Sequence, residues 1–328
     1  MGVVGERTPA RSRDRRASRL LRWTESFPPP TRAWLKRLAF ASLIANIGIV
    51  VTGSAVRLTG SGLGCPTWPG CTDSSYVPQG ALGVHGVIEF GNRMLTFVLA
   101  AVAIATWVAV MGSRPRRRSL RWLATLLALG VPLQAALGGV TVLTDLNPWA
   151  VGLHLLLSLA MIGVAVVFVH RVDEGDRPAQ PTVPAAAAAL ARLTFVAAWL
   201  VLCAGTVVTG SGPHAGDEDS PRTGLDPAFV SQVHGDLVLV LLGLTLGTFF
   251  AFRAVNAPEH ARRAVGWLLG VELAQGLVGL LQYLTDLPIV LVGLHVLGAA
   301  LVSAAATWML LGTRTRGPLP KTPTLNRP

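Results

Sequence analysis

Four of the seven histidines in this 328-residue chain stand among apolar residues: His85, His154 in VGLHLLLSLAM, His234 in SQVHGDLVLVLLG and His295 in LVGLHVLG. His170, His214 and His260 fall in polar stretches and read as solvated side chains. A single imidazole on an apolar helix is most often a hydrogen-bonded packing residue, but ionisable groups in such surroundings are costly and tend to serve function. Two facing imidazoles can hold the iron of a planar haem from both sides. Zinc, the rival, takes three or four ligands, usually with Cys or carboxylate among them; apart from Asp236 beside His234, these histidines have no such company in sequence, which favours haem. Two further groups could do chemistry. LTGSGLGCPTWPGC, residues 58–71, holds Cys65 and Cys71 in a C-x5-C spacing bent by Pro66 and Pro69. VIEFGNRM holds Glu89, four residues after His85 and three before Asn92, so the three line one helical face.

The segments that carry these residues are apolar. Hydrophobic residues make up 51% of the chain and charged residues 14%, with a mean hydropathy of +0.53, values outside the range of an ordinary soluble domain of this length. Eight runs approach the roughly 20 residues that cross a bilayer: 36–56, 86–111, 120–143, 149–170, 187–209, 229–253, 263–284 and 288–311. Backbone groups in lipid must be satisfied internally, so all eight are predicted to be helices. The fold class is an all-α polytopic membrane protein.

Basic residues concentrate in alternate connections: the N-terminal arm (Arg11, Arg13, Arg15, Arg16, Arg19, Arg22), 114–121, 170–177, 253–263 and the tail from Arg314. The connections between them are poor in Lys and Arg, and one contains DED at 217–219. The positive-inside rule then puts both termini in the cytoplasm of a multi-pass protein of the cell membrane. It also accounts for the net charge of +11 and the pI of 11.2 through anionic lipid head groups, with no nucleic acid partner. The arm has no signal-peptide core and is expected to be a disordered tail. Loop 57–85 falls on the outer face, where disulfides persist; Cys65 and Cys71 are expected to pair, two unpaired thiols being the alternative. Cys203, inside the fifth run, reads as a small core residue.

The chain repeats itself. QAALGGVTVLTDLNPWAVGLH, Gln134 to His154, matches QGLVGLLQYLTDLPIVLVGLH, Gln275 to His295, without a gap at an offset of 141, and LTGSG at 58–62 matches VTGSG at 208–212. Four crossings return the chain to its starting side, so the copies are parallel repeats about an axis along the membrane normal. Two four-helix bundles are predicted: 36–172 and 187–312, with a tail at 1–35, a linker at 173–186 and a tail at 313–328. Gln134 and Gln275, repeat-matched, are candidates to hydrogen-bond across helices.

On these residues the chain resembles the haem A synthases, membrane enzymes that oxidise a methyl group of haem O to the formyl group of haem A. The resemblance spans most of the chain and rests on the duplicated eight-helix layout, TGSGLGCPTWPGC, IEFGNR at 88–93, the two LTDL-to-VGLH segments and QVHG at 232–235. It implies a haem b in the C-terminal bundle ligated by His234 and His295, and a substrate haem O in the N-terminal bundle beside Glu89. It also makes haem O synthase a candidate partner; a homo-oligomer stays open. The family pattern has a histidine three residues after the glutamate, followed by arginine, whereas this chain has Asn92 before Arg93. Asn92 lies 142 residues before His234, close to the repeat offset, so it holds the equivalent place. His154 is then the firmer ligand for the substrate iron, and His85, two turns and about 10 Å further out, a second candidate.

Oxidising a methyl group removes electrons and protons, and a carboxylate beside it can accept protons in a low-dielectric site. Glu89 fits that role; the structural alternative is an ion pair with Arg93 at i+4 or with Arg57. Arg57 and Arg93 could instead bind the haem propionates. The cysteine loop sits where it could act as a lid over the substrate haem or as a redox relay. Glu89 and the cysteine loop occur only in the N-terminal copy, an asymmetry expected if one haem is substrate and the other cofactor. The competing function is a membrane electron-transfer protein with two permanent b-type haems, and a transporter comes third.

Overall fold

The structure, a computed structural model, describes residues 29–317. The arginines of the N-terminal arm from Arg11 to Arg22 and the end of the tail, 318–328, lie outside the described residues. Eight helices follow in order: α1 Arg32–Leu58, α2 Gly83–Gly112, α3 Arg118–Leu143, α4 Pro148–Asp173, α5 Ala185–Ser211, α6 Pro227–Ala254, α7 Glu259–Leu284 and α8 Ile289–Leu311. Each is long and apolar enough to cross a membrane and ends within four residues of its expected run. Ile44, Phe97, Leu239 and Val290 are each about two-thirds exposed or more, an outward apolar surface that lipid would cover.

Helix ends follow from local chemistry. Asn147 Oδ1 accepts from the Trp149 and Ala150 N–H groups, with Pro148 at the first helical position of α4. Asp226 and Pro227 do the same for α6, a cap worth about 1 kcal/mol. The repeated TDL turns also match in backbone. Asp145 and Leu146 have φ of 52° and 57°, Asp286 and Leu287 of 56° and 57°, and the Leu N–H reaches back to Thr141 O in one turn and Gln282 O in the other. This left-handed cap satisfies terminal carbonyls and reverses the chain within three residues.

The helices form two rings of four. In each, the first helix packs on the second and fourth, and the third on the second and fourth. The rings meet through α4 against α8, flanked by α1 against α8 and α4 against α5, as a two-fold relation between the copies requires. Small residues let α4 and α8 approach: Ser303 Oγ donates to Leu159 O (2.8 Å), and a Cβ on Gly163 would lie 3.1 Å from Thr307 Oγ1. Leu159 and Ile162 share one buried core with Leu202, Ala300 and Met309. The fold class is therefore as expected, a duplicated all-α bundle.

Three placements differ from expectation. Cys203 is exposed on the outward face of α5 rather than in the core. His170 and His214 are half-buried and partnered: His170 lies 3.4 Å from Glu174 in the last turn of α4, and His214 Nε2 bonds Leu287 O at 3.0 Å. His260 is exposed. The stretch expected as a linker is tied down, because β1 (Gln180–Pro181) pairs antiparallel with β2 (Arg314–Thr315) and Thr182 bonds Thr313 O and Gly312 O.

Candidate functional site

The imidazoles lie against glycines. A Cβ on Gly205 of α5 would lie 3.2 Å from His234 Cε1, and one on Gly279 of α7 would lie 3.6 Å from His295 Cε1. His234 on α6 and His295 on α8 face each other across the C-terminal bundle, with ring centroids 6.5 Å apart and planes at 77°. Imidazole nitrogens bind first-row metals at about 2 Å, so this spacing leaves room for one metal between two ligating rings. The Nδ1 atoms of both are buried without a hydrogen-bond partner, and orphaned buried polar atoms need an explanation. Among the described residues no group of three or more His, Cys, Asp or Glu side chains could hold a metal ion. The donor set is thus two imidazoles on opposite sides, which fits a haem axis and not a zinc cage.

The N-terminal bundle repeats half of this arrangement. A Cβ on Gly138 of α3 would lie 3.5 Å from His154 Cε1, the same relation as Gly279 to His295 at the same offset of 141. His154 Nδ1 is likewise buried and unpartnered. Gln134 Nε2 donates to Ser158 Oγ (2.7 Å) and to His154 O (3.3 Å), holding α3 to α4 at this level. Opposite, Asn92 takes the place of His234: its Oδ1 accepts from Thr52 Oγ1 (2.8 Å), and its Nδ2 lies near Gly53 as His234 lies near Gly205. His85 is exposed at the mouth of the bundle, where its Nδ1 bonds Ser61 Oγ (2.9 Å).

The cysteine loop covers that mouth. Cys65 and Cys71 form a disulfide, and both are 0% exposed, so a thiol partner reaches them only if the loop opens. Glu89, 5% exposed, holds the loop from below. Its Oε2 accepts the Cys65 N–H (2.6 Å), and its Oε1 accepts Arg93 Nη2 (2.6 Å) and Nε (3.1 Å). The ion pair is thus with Arg93. Arg93 also donates to Thr67 O, Gly70 O and Cys65 O. Arg57 donates to His214 O (2.6 Å) and Thr209 O (2.9 Å) in the other half. Both guanidiniums, candidates for the haem propionates, are thus engaged with backbone carbonyls of the protein. The Trp68 ring packs on Gly139, where a Cβ would lie 2.5 Å from its Cδ2. Gly139 adjoins Gly138, so the lid rests one residue from the glycine that faces His154.

The sequence reading missed Glu272, a buried acid inside α7 bonded to Thr245. An acid at the centre of GWLLGVELAQGLV carries the same cost in lipid as the histidines, and that cost was the signal available. The matched glycines 138 and 279 were also legible, but what they face was not.

The chain is similar in sequence to known proteins. The Heme A synthase of Bacillus licheniformis is 29% identical over 147 residues, 43% of this chain and 46% of that protein, so the chain spans about half of that relative. The Heme A synthase of Symbiobacterium thermophilum is 27% identical over 260 residues, 74% of this chain and 83% of its own. That of Shewanella oneidensis is 24% identical over 314 residues, 82% and 92%. The COX15-CtaA family, described as cytochrome oxidase assembly protein, matches residues 36–216, a stretch that holds the cysteine loop, Glu89, Asn92 and His154. A multi-pass membrane protein of eight apolar helices, the chain belongs to the COX15-CtaA family of cytochrome oxidase assembly proteins.

Proposed function

We propose that the protein is a haem A synthase that oxidises a methyl group of haem O to the formyl group of haem A. The observation that carries this is the facing pair His234 and His295, 6.5 Å apart with both Nδ1 atoms buried and unpartnered, in a chain whose curated relatives are named Heme A synthase. His234 and His295 would hold a haem b in the C-terminal bundle. A haem b so held supplies one-electron redox chemistry.

The N-terminal residues receive the substrate, haem O. His154, cradled by Gly138, binds its iron from one side. Asn92 stays bonded to Thr52 and offers no imidazole on the other, leaving His85 at the mouth as the further candidate ligand among the described residues. Glu89 accepts a proton released from the substrate methyl, while the electrons of the oxidation leave to an external one-electron acceptor and water supplies the formyl oxygen; Arg93 stabilises the carboxylate before that proton arrives. The buried cysteine loop and Trp68 cover the pocket, and Arg93 and Glu89 hold the loop in place. With the arginine-rich loops on the cytoplasmic side of the cell membrane, the pocket opens outward.

Asn92 also weighs against two permanent b-type haems, because only one half carries an inward pair of imidazoles. The test is pigment extraction from membranes of cells that make the protein together with haem O. Haem A or its hydroxylated intermediate is expected. His154→Ala should abolish conversion and leave haem b in place, while His234→Ala should lose haem b. Recovery of haem b alone, with haem O unconverted in intact membranes, would favour electron transfer instead.

A further inference from the structure

The repeat supplies an internal control for Glu272. This acid is 6% exposed in the middle of α7. Its Oε1 accepts from Thr245 Oγ1 on α6 (2.8 Å), and its Oε2 is buried with no partner. At the repeat offsets of 141 and 142, Glu272 corresponds to Val131 and Thr245 to Ala103, and Val131 and Ala103 lie together in a small apolar cluster with Leu99. One bundle therefore closes this contact with apolar side chains alone. The other buries a carboxyl group, which is unfavourable unless it is partnered or neutral. A neighbouring polar pair behaves differently: Thr194 and Thr248 share a hydrogen bond (2.8 Å), and their equivalents Ser42 and Thr106 do too (3.1 Å). Packing explains the shared hydroxyl pair and leaves the unshared acid unexplained.

Position suggests its use. Glu272, Gln275 and Gly279 stand at i, i+3 and i+7 on one face of α7, and Gly279 is the residue against which the His295 ring rests. Seven residues of helix separate Glu272 from that level by about 10 Å. At that separation, in a protein interior, a unit change in charge at one site alters proton affinity at the other by roughly tenfold. The titratable and charged side chains on the helices packed against α7 are His234, Asp236 and Arg253 on α6 and His295 on α8. Asp236 bonds Gln232 and Arg253 lies over Phe249. Among the described residues, Thr245 is the single side chain that hydrogen-bonds Glu272.

We propose that Glu272 is a redox-linked proton site: it takes up a proton when the centre between His234 and His295 gains an electron and releases it when the electron leaves. The inference rests on the haem reading of those two histidines. An outer-sphere donor supplies one electron to the metal, bulk water supplies one proton to the Glu272 carboxylate, and the charge inside the bundle is unchanged.

The experiment is a spectroelectrochemical titration of the purified, haem-loaded full-length protein from mildly acid to mildly alkaline pH. The midpoint potential of the bis-histidine centre is expected to fall as pH rises, by about 59 mV in total, which is the tenfold coupling converted for one electron. It should not move with pH in Glu272→Gln. The double variant Thr245→Ala, Glu272→Val rebuilds the Ala103–Val131 contact, so it should fold and also be flat. Reduced-minus-oxidised infrared spectra should show a protonated carboxyl band in the wild type that both variants lack. A wild-type midpoint independent of pH, or the same slope in the variants with the bis-histidine spectrum intact, overturns the proposal alone. A wild-type protein without a bis-histidine spectrum overturns the haem reading and this inference with it.

Discussion

Arg93 makes five hydrogen bonds, two to Glu89 and three to carbonyls of the cysteine loop. A planar guanidinium can serve several acceptors at once, and a lysine ammonium lacks that fork. Arg93→Lys should therefore lose loop order almost as fully as Arg93→Ala, seen as faster proteolysis within 60–80. Glu89→Ala leaves the half-buried Arg93 charge and the Cys65 N–H unpaired and should destabilise the protein by about 3 kcal/mol. Glu89→Gln keeps an acceptor for Cys65. Loss of haem A formation in Glu89→Gln at near-normal thermal stability in detergent would separate chemistry from folding. Asn92 offers the converse test. It sits beside Gly53 as His234 sits beside Gly205, so Asn92→His should add a second bis-histidine absorption signature from the N-terminal bundle and slow substrate oxidation.

The cysteine loop is an element in its own right, docked at two points where only glycine fits. A Cβ on Gly64 would come within 2.3 Å of His85 O and 2.4 Å of the His85 carbonyl carbon, and the Trp68 ring occupies the space beside Gly139. The His85–Gly86 backbone cannot yield as a flexible side chain would. Gly64→Ala should lift the loop, expose the Cys65–Cys71 disulfide to a thiol reductant and lower activity, which labelling of the released thiols would measure. If thiol labelling stays at the wild-type level in Gly64→Ala, the loop does not depend on this contact. The TDL turns work by the same principle of local backbone fit: two left-handed residues close each α3–α4 and α7–α8 corner, setting His154 and His295 at equal depth.

At the scale of the molecule, polar ties join the two halves at the cysteine-loop end and fasten the stretch after α4 at the arginine-rich end. Near the cysteine loop, Arg57 reaches His214 O and Thr209 O and the Gly62 N–H donates to Gly216 O (2.8 Å); within the C-terminal half, His214 in turn bonds Leu287 O. At the arginine-rich end, Arg171 pairs with Glu174 (3.0 Å) and Asp176 (2.8 Å), Arg117 donates to the Val172 and Arg171 carbonyls, and Ser119 bonds Asp176. Burial pushes the Asp176 carboxyl up, but the Ser119 donors and the charges of Arg117 and Arg171 outweigh it and hold Asp176 below its usual value, near 3.9 when free. A depressed folded-state value adds stability above the unfolded pKa, and that stability is lost as pH falls through the folded one. The tie between α3 and the stretch after α4 should thus loosen below about pH 4. Proteolysis at 174–182 as a function of pH should show this for the wild type, and Asp176→Asn should be cut readily even at neutral pH.

Much of this was legible in the chain itself. Apolar run length dictated eight helices, because lipid leaves backbone groups no partner but their own helix. The gapless match of 134–154 with 275–295 dictated two copies, and with them the equivalence of His154 to His295 and of Asn92 to His234. Side-chain direction and long-range contact were not legible, since both depend on which helix faces which. Only the tertiary structure gave Arg57 and Arg93 to backbone carbonyls, turned Cys203 outward and tied 180–182 to the stretch after α8. It also set Trp68 over Gly139 and left the carboxyl of Glu272 half-satisfied where the other copy has valine. Periodicity and composition are properties of a segment, whereas the partner of a buried charge is a property of the packed whole.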